Sequence, residues 1–296
     1  MSIACSIGIM AFNEEANIGG MLAALVSQRT VRVTPTEIVV VASGCTDRTE
    51  SIVQDWARRD PRIRLVVQPR REGKASAINQ FLPHAREKIV VLCGADLLPE
   101  VDAIEELVAP FTDSAVGMTT GRPVPVNESG TFMGFAAHML YDLFHRVNLR
   151  SFKTGELIAF RKIFERIPYD TSVDDASIEP VIRGQGYELR YVPTAVLRNK
   201  GPLTAADFLR QRRRIYAGHL ALRHTLGYSV STISSWKILR IFLRYLDWRP
   251  RPFLWAWGVA ALEAYGRFLG RRDYKQQRDQ SVWEIAETTK DLTARR

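Results

Sequence analysis

Ile3-Ala4-Cys5-Ser6-Ile7-Gly8-Ile9-Met10 runs directly into Ala11-Phe12-Asn13-Glu14-Glu15. An apolar, β-rich run ends in a short turn of small, aromatic and acidic residues, and the same arrangement then returns along the chain. Glu37–Ala42 leads into Ser43-Gly44-Cys45-Thr46-Asp47, Ile63–Val67 into Arg71-Glu72-Gly73-Lys74, and Lys88–Cys93 into Gly94-Ala95-Asp96. Helical patterns over 14–28, 47–59, 74–86 and 101–111 separate these strands, and a further strand is expected over 115–120. Alternation at this spacing predicts an α/β fold with a mostly parallel sheet flanked by helices on both faces. Ligands of such sheets bind beyond the carboxyl ends of the strands, so chemistry belongs in these turns.

None of the turns carries the GxGxxG of a dinucleotide fold or the GxxxxGK[ST] of a phosphate-binding loop, which removes two common rivals. The 296 residues, 46% hydrophobic and 25% charged, suffice for one large domain with an appendage. Cys5, Cys45 and Cys93 have no metal-ligand spacing and read as buried, reduced thiols. The first strand lacks a basic leader and a cleavage site, so it does not read as a signal peptide, and the expected compartment is the cytoplasm.

The second half is less regular. A helical stretch over 132–149 leads to a strand-like 157–161, and Val173-Asp174-Asp175 opens a helix expected to start near Ala176. A basic helix follows over 205–226. The net charge of +9 is concentrated here: between Arg210 and Lys275, 14 Lys and Arg face only Asp247, Glu263 and Asp273. Such asymmetry points to an anionic partner.

Taken in order, these stretches resemble the family 2 glycosyltransferases with the GT-A fold, over about residues 3–220. The x-x-N-E turn is matched by Ala11-Phe12-Asn13-Glu14, and the usual DDGSTDGT turn appears as Ala42-Ser43-Gly44-Cys45-Thr46-Asp47-Arg48-Thr49. G-K-x-x-A-x-N is Gly73 to Asn79, the metal-binding DxD is Gly94-Ala95-Asp96, and the acceptor-side acidic pair is Asp174-Asp175. Gln211-Arg212-Arg213-Arg214-Ile215 is similar to the QxxRW helix of the polymer-forming synthases, here without their transmembrane array.

The resemblance implies a nucleotide-sugar donor. It assigns Phe12, Glu14 and Ser43 to base and ribose, with Asn13 in the same turn, and Gly73 and Lys74 to the phosphate side. Asp96 is the implied holder of Mn²⁺ or Mg²⁺, an all-oxygen cation site beside the diphosphate. Asp175 is the implied base that removes the acceptor proton, with Asp174 in support and the anomeric centre inverted. Gln211 and Arg214, one turn apart, share a helix face toward the diphosphate. Asp47 reads as a cap of the following helix, and His219 is the histidine nearest the site.

Three positions depart from the pattern. Ala42-Ser43 replaces the acidic pair that contacts uracil, which leaves the donor nucleotide open. Gly94 removes one metal carboxylate. Ile215 replaces the Trp associated with polymer acceptors, which favours single transfer.

The implied catalytic domain is 1–230, with a basic, Trp-rich helical extension over 231–296. Lys237, Arg240 and Arg244 share one face of an amphipathic helix that suits a membrane interface. Residues 253–269 contain Glu263 and Arg267 and are too short for a convincing span; they either pack on the catalytic domain or lie at the membrane surface. The expected partners are a glycan or lipid-linked acceptor and an anionic membrane surface, at the inner face of the cell membrane. Nucleic-acid binding accounts for the charge but not for the ordered motifs. A nucleotidylyltransferase needs a Gly- and Arg-rich first loop, which is absent. A catalytically silent scaffold is the alternative that the missing carboxylates at 42 and 94 raise.

Overall fold

The computed structural model describes residues 2–169, 173–228, 235–276, 287–289 and 292. Strands β1 (Ile3–Ala11), β2 (Val33–Ser43), β3 (Ile63–Gln68) and β4 (Ile89–Gly94) are parallel and lie in the order β3-β2-β1-β4. Their side chains alternate between two cores. Ile7, Ile9, Ile38 and Val40 face one, with Ile18, Met21 and Leu22 of helix α1 (Ile18–Val26) and Val53 of α2 (Thr49–Ala57). Val39, Val41, Val90 and Leu92 face the other, with Ile78 and Phe81 of α3 (Lys74–Phe81). Near-continuous apolar strands are what burial on both faces requires. Phe81 is fully buried, contributing about 1.5–3 kcal/mol by area. It sits where a Cβ on Gly8 would stand 2.6 Å from its ring, so that strand position has room only for glycine.

Beyond β4 the sheet becomes mixed. β5 (Leu98–Pro99), α4 (Ala103–Val108), β6 (Val116–Pro125), α5 (Phe132–Asn148), β7 (Ile158–Arg161), α6 (Asp174–Gly184) and β8 (Glu188–Asn199) follow in the chain. The full order is β3-β2-β1-β4-β7-β6-β8-β5, with β7 antiparallel to both β4 and β6.

Several expected boundaries move. α3 stops at Phe81 and passes into a 3₁₀ turn over Leu82–His84, because Pro83 has no N–H to continue the α-helical pattern. α6 begins at Asp174, two residues before the expected start, so both acids are first-turn residues. β8 has no counterpart among the strands expected from the sequence. Pro193 argues against a strand there, but it falls where the β6–β8 register slips between Tyr191 and Val196, which spares a ladder hydrogen bond.

α7 (Ala205–Leu226) is capped by Thr204, whose hydroxyl accepts the Asp207 N–H, and ends at left-handed Gly227. α8 (Ser235–Arg244) and α9 (Pro250–Lys275) follow. α9 packs tightly on α7: Cβ atoms added at Gly266 and Gly270 would stand 2.8 Å from Arg212 Cβ and 2.5 Å from the Arg213 carbonyl. Arg213 and Asp273 close that interface with two charge-assisted hydrogen bonds, 2.6 and 2.7 Å. Residues 253–269 thus lie in a packed helix, and among the described residues no helix is long and apolar enough to cross a membrane. The side chain of Lys237 lies outside the described residues.

Candidate active site

The turns after β1, β2 and β4, the start of α3, the start of α6 and one face of α7 converge on a cavity of about 760 Å³. Its shape is set by how the first two turns hold each other. Asn13 takes a left-handed φ of 50° and its carboxamide bonds Thr46 through both atoms: Oδ1 accepts the Thr46 N–H at 2.8 Å and Nδ2 donates to the hydroxyl at 3.1 Å. Asp47 accepts the N–H groups of Glu15 and Thr49, each at 3.0 Å, and these bonds hold its carboxyl below the usual range although burial opposes them. The N-cap of α2 is Arg48 rather than the expected Asp47, which sits one residue earlier and accepts the N–H of the first helical residue, Thr49. Asn13 is not in the cavity wall; its side chain fastens the two turns.

Phe12, Glu14 and Ser43 do line the cavity. The Arg71 guanidinium lies 4.3 Å from the centre of the Phe12 ring, a cation–π pair at the mouth. Glu14 is buried and accepts from the Asn17 amide at 2.9 Å. Ser43 donates to Gln68 at 2.7 Å, and Gln68 in turn donates to Glu72 and Ser76. Cys45, expected to be buried, is only partly so, whereas Cys5 and Cys93 are buried; all three are free thiols.

Gly73 has φ 92° and ψ 165°, a backbone state that a side chain strains, and it delivers Lys74 into the cavity. Lys74 Nζ lies 3.0 Å from Asp174 Oδ2. Burial works against the ammonium, but Asp174, Asp175 and Asp96 outweigh it and hold its pKa above the ordinary lysine value. The lysine assigned to the phosphates is thus also the counter-ion of the acidic pair. Asp175 lies beside it, with its proton affinity raised by burial and then by Asp174, against Lys74 and Lys153. Gln211 and Arg214 line the same cavity from α7, and Arg214 feels both Asp174 and Asp175. His219 also lines it, kept neutral by burial and by the neighbouring cations Lys153, Arg212 and Arg267.

Asp96 follows β4, an interior strand, just beyond its carboxyl end. Gly94 has no side chain, and the place its Cβ would occupy is 2.6 Å from Asp96 Oδ1. Among the described residues no three His, Cys, Asp or Glu side chains cluster closely enough to hold a cation by themselves. The donors at this end are all oxygen, which fits Mg²⁺ or Mn²⁺ completed by diphosphate and water.

Two wall residues have no counterpart in the sequence reading. Lys153, pressed into the wall beside Arg212, has its ammonium brought down to about 8 by burial. Glu156 is raised to about 7 by burial and by Asp96. Its Oε2 accepts from Asn199 Nδ2, which also bonds the Tyr141 hydroxyl at 2.7 Å. The guide that chemistry follows strand carboxyl ends misses Glu156 because β7 is antiparallel. Its amino end lies at the edge where the parallel strands end.

The chain matches the model of Glycosyl transferase family 2 over residues 6–177. It is 31% identical over 136 residues to a dolichyl-phosphate beta-glucosyltransferase of Trichomonas vaginalis, covering 44% of this chain and 38% of that one. It is 24% identical over 199 residues to a poly-beta-1,6-N-acetyl-D-glucosamine synthase of Staphylococcus aureus, covering 63% and 48%. The chain therefore spans less than half the length of these two relatives. Among solved structures, a mannosyltransferase of Pyrobaculum calidifontis in complex with GDP-Man and Mn²⁺ superposes with a TM-score of 0.61. The two are 25% identical, with 98% of this chain and 87% of that one covered.

Proposed function

The chain belongs to the family 2 glycosyltransferases, and we propose that it transfers a single sugar, with inversion, from a nucleotide-diphosphate donor to a hydroxyl of a lipid-linked or envelope-glycan acceptor. The observation that carries this reading is the meeting of the two halves of the cavity. The Lys74–Asp174 contact at 3.0 Å joins the donor-side glycine–lysine turn to the acidic pair on the acceptor side.

Phe12 and Glu14 take the nucleoside end, with the Arg71–Phe12 pair as a platform for a base. Lys74 and Arg214 offset phosphate charge. Asp96 is the protein's ligand for Mn²⁺ or Mg²⁺, which supplies charge neutralisation of the departing diphosphate. Asp175 accepts the proton of the attacking hydroxyl. Its raised proton affinity makes it a better base than a solvated aspartate. Asp174, held by Lys74, keeps the first turn of α6 in place.

The acceptor end is cationic, with Lys153 and Arg212 in the wall, which suits an acceptor bearing phosphate. Trp236 on α8, Trp248 between α8 and α9, and Leu254 and Phe268 on α9 are more than 60% exposed, and Arg240 and Arg244 of α8 are exposed as well. Exposed apolar and basic groups along this segment support attachment of the 231–296 extension to an anionic membrane.

The test is a panel of nucleotide-sugars, including GDP-mannose and UDP-glucose, measured for thermal stabilisation and slow hydrolysis with and without Mn²⁺. Metal-dependent stabilisation by at least one donor is expected. A panel in which none binds leaves a silent scaffold as the better description.

A further inference from the structure

Glu156 lines the same cavity as Asp96, on the diphosphate side, and Asp175, on the acceptor side, and both acids raise its proton affinity. Inverting transfer requires leaving group, anomeric carbon and attacking oxygen in line, so a wall residue between the diphosphate anchor and the base faces the sugar ring. β4 and β7 pair antiparallel as far as Leu92 with Ile158, which brings the segment just before β7, with Glu156, to the end of β4 that Asp96 follows.

The carboxyl is also held. Asn199, the last residue of β8, donates to Oε2 and is itself anchored on Tyr141 of α5. Two separate elements fix one acidic group in a half-buried position beside other acids, an arrangement that costs stability and that function explains.

We propose that Glu156 accepts a hydrogen bond from a hydroxyl of the transferred sugar and so selects the donor sugar, with Tyr141 and Asn199 as positioning residues. This rests on the nucleotide-sugar reading above. A hydrogen bond from a hydroxyl to this shielded carboxyl is strong enough to discriminate, and a site built around it rejects a donor that lacks the partner.

The experiment measures binding of UDP, GDP, UDP-glucose and GDP-mannose with Mn²⁺ to the full chain and to Glu156→Gln and Glu156→Asp, then repeats it with monodeoxy analogues of the sugar preferred. The wild type is expected to bind the sugar nucleotide more tightly than the bare nucleotide. Both variants should bind the bare nucleotide unchanged and lose about 10- to 100-fold of the added affinity. One deoxy analogue should cost the wild type the same factor and cost Glu156→Gln nothing more. Three results overturn the proposal: equal sugar-nucleotide affinity in the variants, weaker Mn²⁺ binding with the sugar preference intact, or a lower melting temperature as the sole effect. A wild type that binds no nucleotide at all refutes the nucleotide-sugar reading itself.

Discussion

Lys74 and Asp174 meet 3.0 Å apart across the cavity, one from the first turn of α3 and the other from the first turn of α6. Asp174 is 7% exposed and Lys74 30% exposed, so the pair is shielded from screening but keeps some contact with water. It locks two segments a hundred residues apart in sequence. Asp175 is presented from the same turn, so the proposed base is positioned through its neighbour's ion pair.

Breaking that pair from one side leaves a buried charge unmatched. Lys74→Met is expected to cost roughly 2–4 kcal/mol of stability, and the double variant with Asp174→Asn markedly less than the two single costs added together. The sign with pH follows from the raised pKa of Lys74. Its stabilising effect is complete below the ordinary lysine value of 10.5 and is lost as pH rises through its higher folded value. The Lys74→Met cost should therefore stay constant from about pH 6 to 9 in chemical denaturation; a cost that falls away within that range contradicts the pairing.

The α7–α9 contact depends on glycine. Gly270→Ala pushes a Cβ to 2.5 Å from the Arg213 carbonyl and should destabilise by about 1–3 kcal/mol. Gly184→Ala, with nothing within 4 Å of the added carbon, is the control and should be neutral or slightly stabilising. Thermal melts of both variants settle this, and equal melting temperatures would show that α9 is not seated on α7 as described.

Cosedimentation with anionic vesicles at low salt is expected for the full chain, with loss in high salt and on truncation near Thr232. Trp248→Ala, at a site 77% exposed, should weaken vesicle binding without lowering the melting temperature. Failure to bind such vesicles at low salt rules out the membrane surface as a partner.

The parallel half of the sheet was legible because each of its strands ends in a distinctive turn. Phe12, Gly73, Asp96 and Asp174–Asp175 all reach one cavity, as the motif order implies. Asn13 lies in the expected turn and its carboxamide braces the neighbouring loop, a task that suits a left-handed residue with a short side-chain amide and that the motif does not announce. Glu156 and Lys153 were hidden for a topological reason: strand direction is not written in hydrophobic alternation, and β7 runs against its neighbours. β8 was hidden by Pro193, which only the paired strand reveals as a register slip.

In the proposed reaction Asp175 takes the acceptor proton while the donor is held elsewhere in the cavity. Asp175→Asn tests it most directly, through donor affinity by calorimetry and transfer by product formation on the same preparation. Donor affinity is expected to stay within about twofold while transfer falls by at least ~10²-fold, the scale of a lost general base. Undiminished transfer by Asp175→Asn contradicts the account.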